Sequence, residues 1–287
     1  MITGDTTLAK LVRSPIVDGL FYPENSAEVL SFIQGTGLEQ GKGGMAKAII
    51  APHGAWEISG SLAAAAFDAA GGRNRKINLT GSKKPLRVVI LGPIHEVTEE
   101  GIFLTNSSSF QTPLGDIPVD REASEWVESY SPLIRVNDIP HLYEHSIEVL
   151  LPFVKYCFPK AAIVPVLMGG KKKQHIKVLA NALKAVFAPE MENTLIIVSF
   201  NMTLQSGEKA AADMAVECMR LFRERDCKKI YEAFQDGKIS GCGSALVSSL
   251  LQSGLTDTAR PRPASDLMLN TKGEKGKTVY YGAFAFE

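Results

Sequence analysis

The chain has 287 residues, 45% of them hydrophobic and 22% charged, and its 31 basic and 31 acidic side chains cancel to a formal charge of zero. That composition suits a globular protein with a substantial core, and the charge balance lacks the basic excess of a nucleic-acid binder. The N-terminal Met1-Ile2-Thr3-Gly4-Asp5 has no apolar signal core, and no apolar run is long enough to span a bilayer. Cys157, Cys218, Cys227 and Cys242 are scattered without CxxC spacing, unlike a disulfide framework. The expectation is a reduced, cytoplasmic protein with neither a membrane nor a nucleic-acid partner. No Pro/Ser-rich or charged linker divides the chain, so residues 1–287 read as one domain.

In chain order, Ser26 is predicted as a helix N-cap, with Val29, Leu30 and Ile33 on one face and Gly35 as the stop. The Gly-rich 35–44 lacks a GK[ST] ending and reads as a connection. Ala48-Ile49-Ile50-Ala51-Pro52 reads as a strand running into His53, followed by an Ala-rich helix over Ser61–Ala70. Asn74–Pro85 is polar and reads as a surface loop. Val88–Ile94 is a second strand, running into His95; Gln111–Asp116 is a turn; Asp120 caps a helix holding Ala123, Trp126 and Val127. Ile147, Leu150, Leu151 and Val154 predict an amphipathic helix opened by Glu144-His145-Ser146, with Pro152 as a kink. Strand Ala162–Met168 and helix Ile176–Phe187 follow. A third continuous apolar strand, Leu195–Ser199, runs into Phe200 and Asn201. Helices fill Glu208–Phe234 and Ser244–Leu251, and a hairpin around Thr271–Lys277 closes the chain. The alternation predicts an α/β fold with a mostly parallel central sheet flanked by helices.

In such sheets ligands bind beyond the carboxyl ends of the strands, so His53, His95 and Asn201 should converge at one edge. Two imidazoles suit Fe, Zn, Cu or Ni, and a third ligand would come from Cys242, Glu96, Glu144, Glu148 or Asp116. Cys242 sits between Gly241 and Gly243, which permit a close backbone approach, and precedes a predicted helix. His141 and His145 are spaced i, i+4, but Leu142 stands where a zincin has Glu. His145 is the candidate general acid or base, with Glu144 beside it in the pocket. GxSxG, P-loop and GxGxxG motifs are absent.

Several segments, in order along nearly the whole chain, carry a resemblance. They are Asp18-Gly19-Leu20-Phe21-Tyr22-Pro23, Ile49–Gly54, Leu91–His95, Thr112–Asp116, Ile163–Gly169, Cys242-Gly243, Tyr281-Gly282-Ala283 and, most specific, Glu144-His145-Ser146-Ile147-Glu148-Val149-Leu150-Leu151-Pro152-Phe153. The chain resembles the Memo family, called AmmeMemoRadiSam system protein B in prokaryotes. The resemblance implies a fold similar to the LigB-like class III extradiol non-haem iron dioxygenases, and a metal pocket falling on His53, His95 and Cys242. It also implies a radical-SAM-associated partner.

Departures from the family pattern are equally specific. Asn201 and Leu204 stand where the family has Asp and His, removing two ionisable groups. Trp56, in Gly54-Ala55-Trp56, replaces a Tyr of the family pattern and is expected, with Asn201 and Glu144, to line the pocket. Three readings stay open. One is a pocket for Fe, Cu or Zn with part of the acid–base set missing. Another is a catalytically degenerate binding module whose cleft takes a small molecule or peptide, or which works with a radical-SAM-associated partner protein. The last is a Cys242-dependent hydrolase.

Overall fold

The computed structural model describes residues 11–73, 85–266, 268–272 and 277–287, the side chains of 204–206 excepted. The loop expected over Asn74–Pro85 falls, but for Pro85, outside the described residues, as does the tip of the closing hairpin. The strands are β1 (Val12–Arg13), β2 (Ala48–Ala51), β3 (Arg87–Pro93), β4 (Gly101–Leu104), β5 (Ser109–Phe110), β6 (Ile117–Pro118) and β7 (Ile134–Val136). They continue with β8 (Ala162–Gly169), β9 (Thr194–Ser199), β10 (Thr203–Ser206), β11 (Pro261–Pro263), β12 (Leu269–Lys272), β13 (Lys277–Tyr281) and β14 (Phe284–Phe286). The helices are α1 (Ser26–Gly35), α2 (Trp56–Asp68), α3 (Arg121–Ser129), α4 (Asp138–Tyr143), α5 (Leu151–Cys157), α6 (Lys173–Phe187), α7 (Glu208–Glu224), α8 (Cys227–Gln235) and α9 (Ser244–Ser253).

The three apolar runs form the middle of an eight-stranded sheet of order β11-β14-β2-β9-β3-β8-β4-β7. Its centre, β2-β9-β3-β8, is parallel, with Ala51 opposite Ser199 and Leu91 opposite Val198. The register therefore brings the carboxyl ends of β2, β9 and β3 to one edge. Antiparallel pairing of β14 with β2 agrees with the expected closing strands; that of β4 with β8 was not foreseen.

Both faces of the sheet are covered, which is why these strands are apolar throughout. Ile50, Val89, Leu91, Val166, Ile196 and Val198 pack with residues of α3 and α6–α9. Ile49, Val88, Ile90, Leu195 and Ile197 pack with α1, α2 and α5. The α/β expectation holds. No helix among the described residues is long and apolar enough to cross a membrane.

Local corrections have physical causes. The cap of α1 is Asn25, whose side chain accepts from the Ala27 and Glu28 amides, and Ser26 is its first residue. Helix α2 starts at Trp56, five residues before Ser61. Asp120 caps α3 as expected, accepting from the Ala123 amide. The helix expected from Glu144 onward is broken: Glu144 is extended (φ −101°, ψ 131°), Glu148–Leu150 is a 3₁₀ turn, and α5 begins with Pro152 in its first turn. Pro152 thus opens a helix, where its missing N–H costs nothing, instead of kinking one. His141 and His145 therefore do not share a helix face.

Candidate metal centre

Each strand end delivers its polar residue two positions beyond the sheet. His53 is 1% exposed, and its Nδ1 lies 2.7 Å from Ser199 Oγ at the end of β9. Ser199 Oγ donates its only hydrogen to the Ser146 carbonyl at 2.6 Å. The Ser199 oxygen must then accept from His53 Nδ1–H, so the lone pair sits on Nε2. That Nε2 is 3.4 Å from Cys242 Sγ. Burial, and then the neighbouring His95 and His145, push the His53 pKa well below the ordinary imidazole range, keeping the ring neutral.

His95 is held by Glu144. Its backbone amide donates to Glu144 Oε2 at 2.6 Å and its Nδ1 to Oε1 at 3.0 Å. Oε1 also accepts from the Ser146 amide at 2.8 Å and lies 3.4 Å from His145 Nδ1. Burial alone would lower the His95 pKa, but hydrogen bonds to Cys242 and Glu144 outweigh it and raise the value to about 10. Burial would raise the Glu144 pKa, yet the His95 hydrogen bond holds it below the usual carboxylate range. For His145, burial depresses the pKa, opposed by the Glu144 charge.

One ligand atom from each of His53, His95 and His145 lies within 4.8 Å of the others, a group that could hold a metal ion. His145, expected as an acid or base, stands within this group. Its ring stacks on His95 (centroids 5.2 Å apart, 26°), and Phe21 closes on it edge-on at 4.9 Å. Donors and an acceptor fixed behind the rings are the outer partners that metal-bound histidines use. Imidazoles with a thiol suit a borderline or soft transition ion; the one carboxylate at hand is engaged behind the rings, so the set does not suit Mg²⁺ or Ca²⁺.

Cys242 stands beside His53 but is not part of the three-histidine group that could hold a metal. Its Sγ accepts from the Asn201 amide at 3.3 Å, and its own amide donates to the Asn201 carbonyl at 3.3 Å. A Cβ on Gly243 would stand 2.6 Å from the Ser199 carbonyl, so glycine lets this loop lie against the end of β9. Asn201 Oδ1 accepts from the His53 amide at 3.1 Å and positions the backbone. His53, His95, His145, Cys242 and Asn201 line one cleft of about 410 Å³ with Phe21 and Tyr281.

Other expected residues lie elsewhere. Trp56 is turned into the core, 2% exposed, with its indole donating to the Val149 carbonyl at 3.0 Å and its ring 4.4 Å from Phe153. The wide indole fills the space between α1 and α5, which is why it does not reach the histidines. Glu148 is buried in an ion pair with Arg13 and also accepts from Tyr22 Oη at 3.0 Å and the Ile16 and Val17 amides. Glu96 and Asp116 are exposed. Of Leu204 only the backbone, paired with Val279, is described. His141 is buried, its Nε2 3.1 Å from the Phe103 carbonyl. Sequence reasoning missed Arg13, Ser199 and Phe21. Only Phe21 carried a signal, within Asp18–Pro23.

A family model described as Memo-like protein matches residues 13–263. A MEMO1 family protein of Thermotoga neapolitana is 29% identical over 258 residues, covering 86% of this chain and 90% of its own length. One of Aeropyrum pernix is 27% identical over 285 residues, covering 95% and 98%. Among solved structures, an uncharacterized protein of Escherichia coli K12 gives a TM-score of 0.44 at 12% identity, over 82% of this chain and 98% of that one.

Proposed function

This chain belongs to the Memo-like protein family, and from that premise we propose that its cleft is a transition-metal centre in which His53, His95 and Cys242 are ligands and His145 completes the donors or handles a proton. The observation that carries this reading is the convergence of three imidazoles within 4.8 Å, with Cys242 Sγ 3.4 Å from His53 Nε2. Fe, Cu and Zn fit such donors. A bound ion would supply a Lewis-acidic position open to a small molecule or a peptide side chain entering the cleft. The chain's own part is to aim Nε2 of His53 through Ser199 and to orient His95 through Glu144.

Extradiol ring cleavage is not expected. Asn201, already accepting from the His53 amide, has no proton to exchange, and residue 204 is Leu. Loss of a positioned base typically lowers a rate by about 10²–10⁴.

The test is elemental analysis of protein purified without chelators, and again after anaerobic Fe(II), Cu or Zn loading. Near-stoichiometric metal is expected in the wild type and its loss in His53→Ala. Loaded wild type should leave a panel of catechols intact. Wild type that holds no metal under any loading overturns the metal reading; turnover that disappears in His53→Ala restores the dioxygenase.

One observation favours a second reading. The 3.4 Å Cys242–His53 contact is a nucleophile–base pair in reach. Burial of His53 opposes proton uptake by its ring, which weighs against this reading. Rapid alkylation of Cys242 that slows in His53→Ala would support it.

A further inference from the structure

Two side chains that line the histidine cleft hold hydrogen-bond donors with no acceptor among the described residues. The first is Tyr281, at the end of β13 and only 5% exposed. The phenol end of its ring lies against Gly54, next to His53: a Cβ there would stand 2.6 Å from Tyr281 Cε1 and 3.0 Å from Cζ. The hydroxyl on that Cζ has no partner, yet it is not sealed from solvent as the unpartnered polar atoms of Arg73, His175, Ser248 and Thr256 are. Since Tyr281 lines the cleft and is covered elsewhere, the hydroxyl opens into the cleft. A hydroxyl so deeply set and left unpaired is costly, and natural structures rarely keep one without reason. Burial raises its pKa from the ordinary 10, so at neutral pH it donates.

The second is Asn201. The His53 amide can only donate, so the Asn201 atom 3.1 Å from it is Oδ1, and the Nδ2 hydrogens face elsewhere. Nδ2 also has no partner among the described residues and is also not a sealed atom. The Met202 amide donates to the Tyr280 carbonyl at 2.9 Å, which sets residues 201 and 281 side by side.

The local field has the matching sign. Helices α2 and α9 both begin at the cleft, after Ala55 and just beyond Cys242, and neither has a side-chain cap. Helix N-termini carry partial positive charge and favour anions. Glu57, the acid in the first turn of α2, is exposed and lines a neighbouring groove. No carboxylate lines the cleft among the described residues, and Ile58 and Val279 give it an apolar wall.

We propose that the cleft binds a small organic carboxylate with an apolar body. The carboxylate oxygens accept from Tyr281 Oη and Asn201 Nδ2, and the body lies against Ile58 and Val279. The inference deepens the reading of this cleft and rests on its being the functional site proposed above.

The test is calorimetric titration of the full chain, freed of metal with a chelator, with benzoate, acetate and benzyl alcohol. Benzoate should bind most tightly, since acetate lacks the body and benzyl alcohol the charge. Tyr281→Phe keeps the ring, removes the donor and should weaken benzoate by about tenfold or more, the size of a lost hydrogen bond to a charged group. Asn201→Asp still accepts from the His53 amide but offers the ligand only acceptors, and should weaken it at least as much. Both variants should keep the wild-type melting temperature, which separates lost binding from lost folding.

Cys242 supplies a footprint that needs no variant: its alkylation in the wild type should slow as benzoate saturates. Absence of benzoate binding, binding unchanged by either variant, or an unprotected Cys242 overturns the proposal. So does acetate or benzyl alcohol binding as tightly as benzoate. Elemental analysis of the wild type decides the metal reading separately. Metal without benzoate binding removes only the carboxylate, and benzoate binding in a chain that never takes up metal removes only the ion.

Discussion

Glu144 serves two imidazoles and two backbone amides with one carboxylate, and it is buried almost completely. In the proposed centre it would orient the rings and not touch a ligand. Glu144→Gln keeps the size but loses the charge and one acceptor, and partners of this kind typically set about 10–100-fold in metal affinity. Competition against a chelator should show a loss in that range with the fold intact; unchanged affinity would mean that the rings need no carboxylate behind them.

His141, nearby in sequence, belongs to the core. Burial, reinforced by Arg13 against the opposing Phe103 carbonyl contact, lowers its pKa from 6.5 to about 4. The unfolded chain therefore takes up the proton first as pH falls. The stability contributed by the neutral ring is complete above about pH 6.5 and is lost towards pH 4, an effect on the order of 3 kcal/mol. Urea unfolding between pH 7 and 4 should show this slope, flattened in His141→Gln. A His141→Gln protein with the wild-type slope would assign the acid sensitivity elsewhere.

Elements differ in how far they could be read ahead. The strands ending at His53, His95 and Asn201 were legible because a continuous apolar run fixes both the element and the edge at which it delivers its polar residue. The Ile147–Val154 spacing was legible as amphipathic but not as a 3₁₀ turn followed by α5, since both bury nearly the same positions. The position of His145 depends on the extended backbone at Glu144, and no period encodes that. Arg13 finds Glu148 across 135 residues, with no local signal in a two-residue strand.

Capping is where the reading slipped by one residue. Asn25 and Ser26 are both good caps, and only Asn25 accepts from the first-turn amides. Asn25→Ala should cost about 1 kcal/mol in chemical denaturation, and Ser26→Ala only a few tenths. The reverse order would return the cap to Ser26.

At the scale of the molecule, the family match stops at residue 263, yet β14 continues the sheet beyond it. Phe284 and Phe286 are essentially unexposed, and β14 pairs along the outer side of β2, the strand that carries His53. Burial of each such ring contributes about 3–5 kcal/mol, against a total stability of about 5–15 kcal/mol. A chain ending at Pro263 should therefore not unfold cooperatively in circular dichroism. It should also aggregate on size exclusion, because the edge of β2 is opened. A monomeric truncated chain with a sharp transition would show that the last strand is dispensable.

The three histidines that could hold a metal, residues 53, 95 and 145, and the neighbouring Cys242 lie on loops that meet only when β2, β9 and β3 lie side by side. No fragment of the chain holds two neighbouring ligands, so an ion bound here recognises the finished tertiary structure and nothing earlier. On the metal reading proposed above, occupancy would favour the native state by about 2.7 kcal/mol when free ion is at a hundred times its dissociation constant. On that reading, removing the ion would loosen the whole sheet instead of one loop, and scarcity of the metal would shorten the survival of the entire chain.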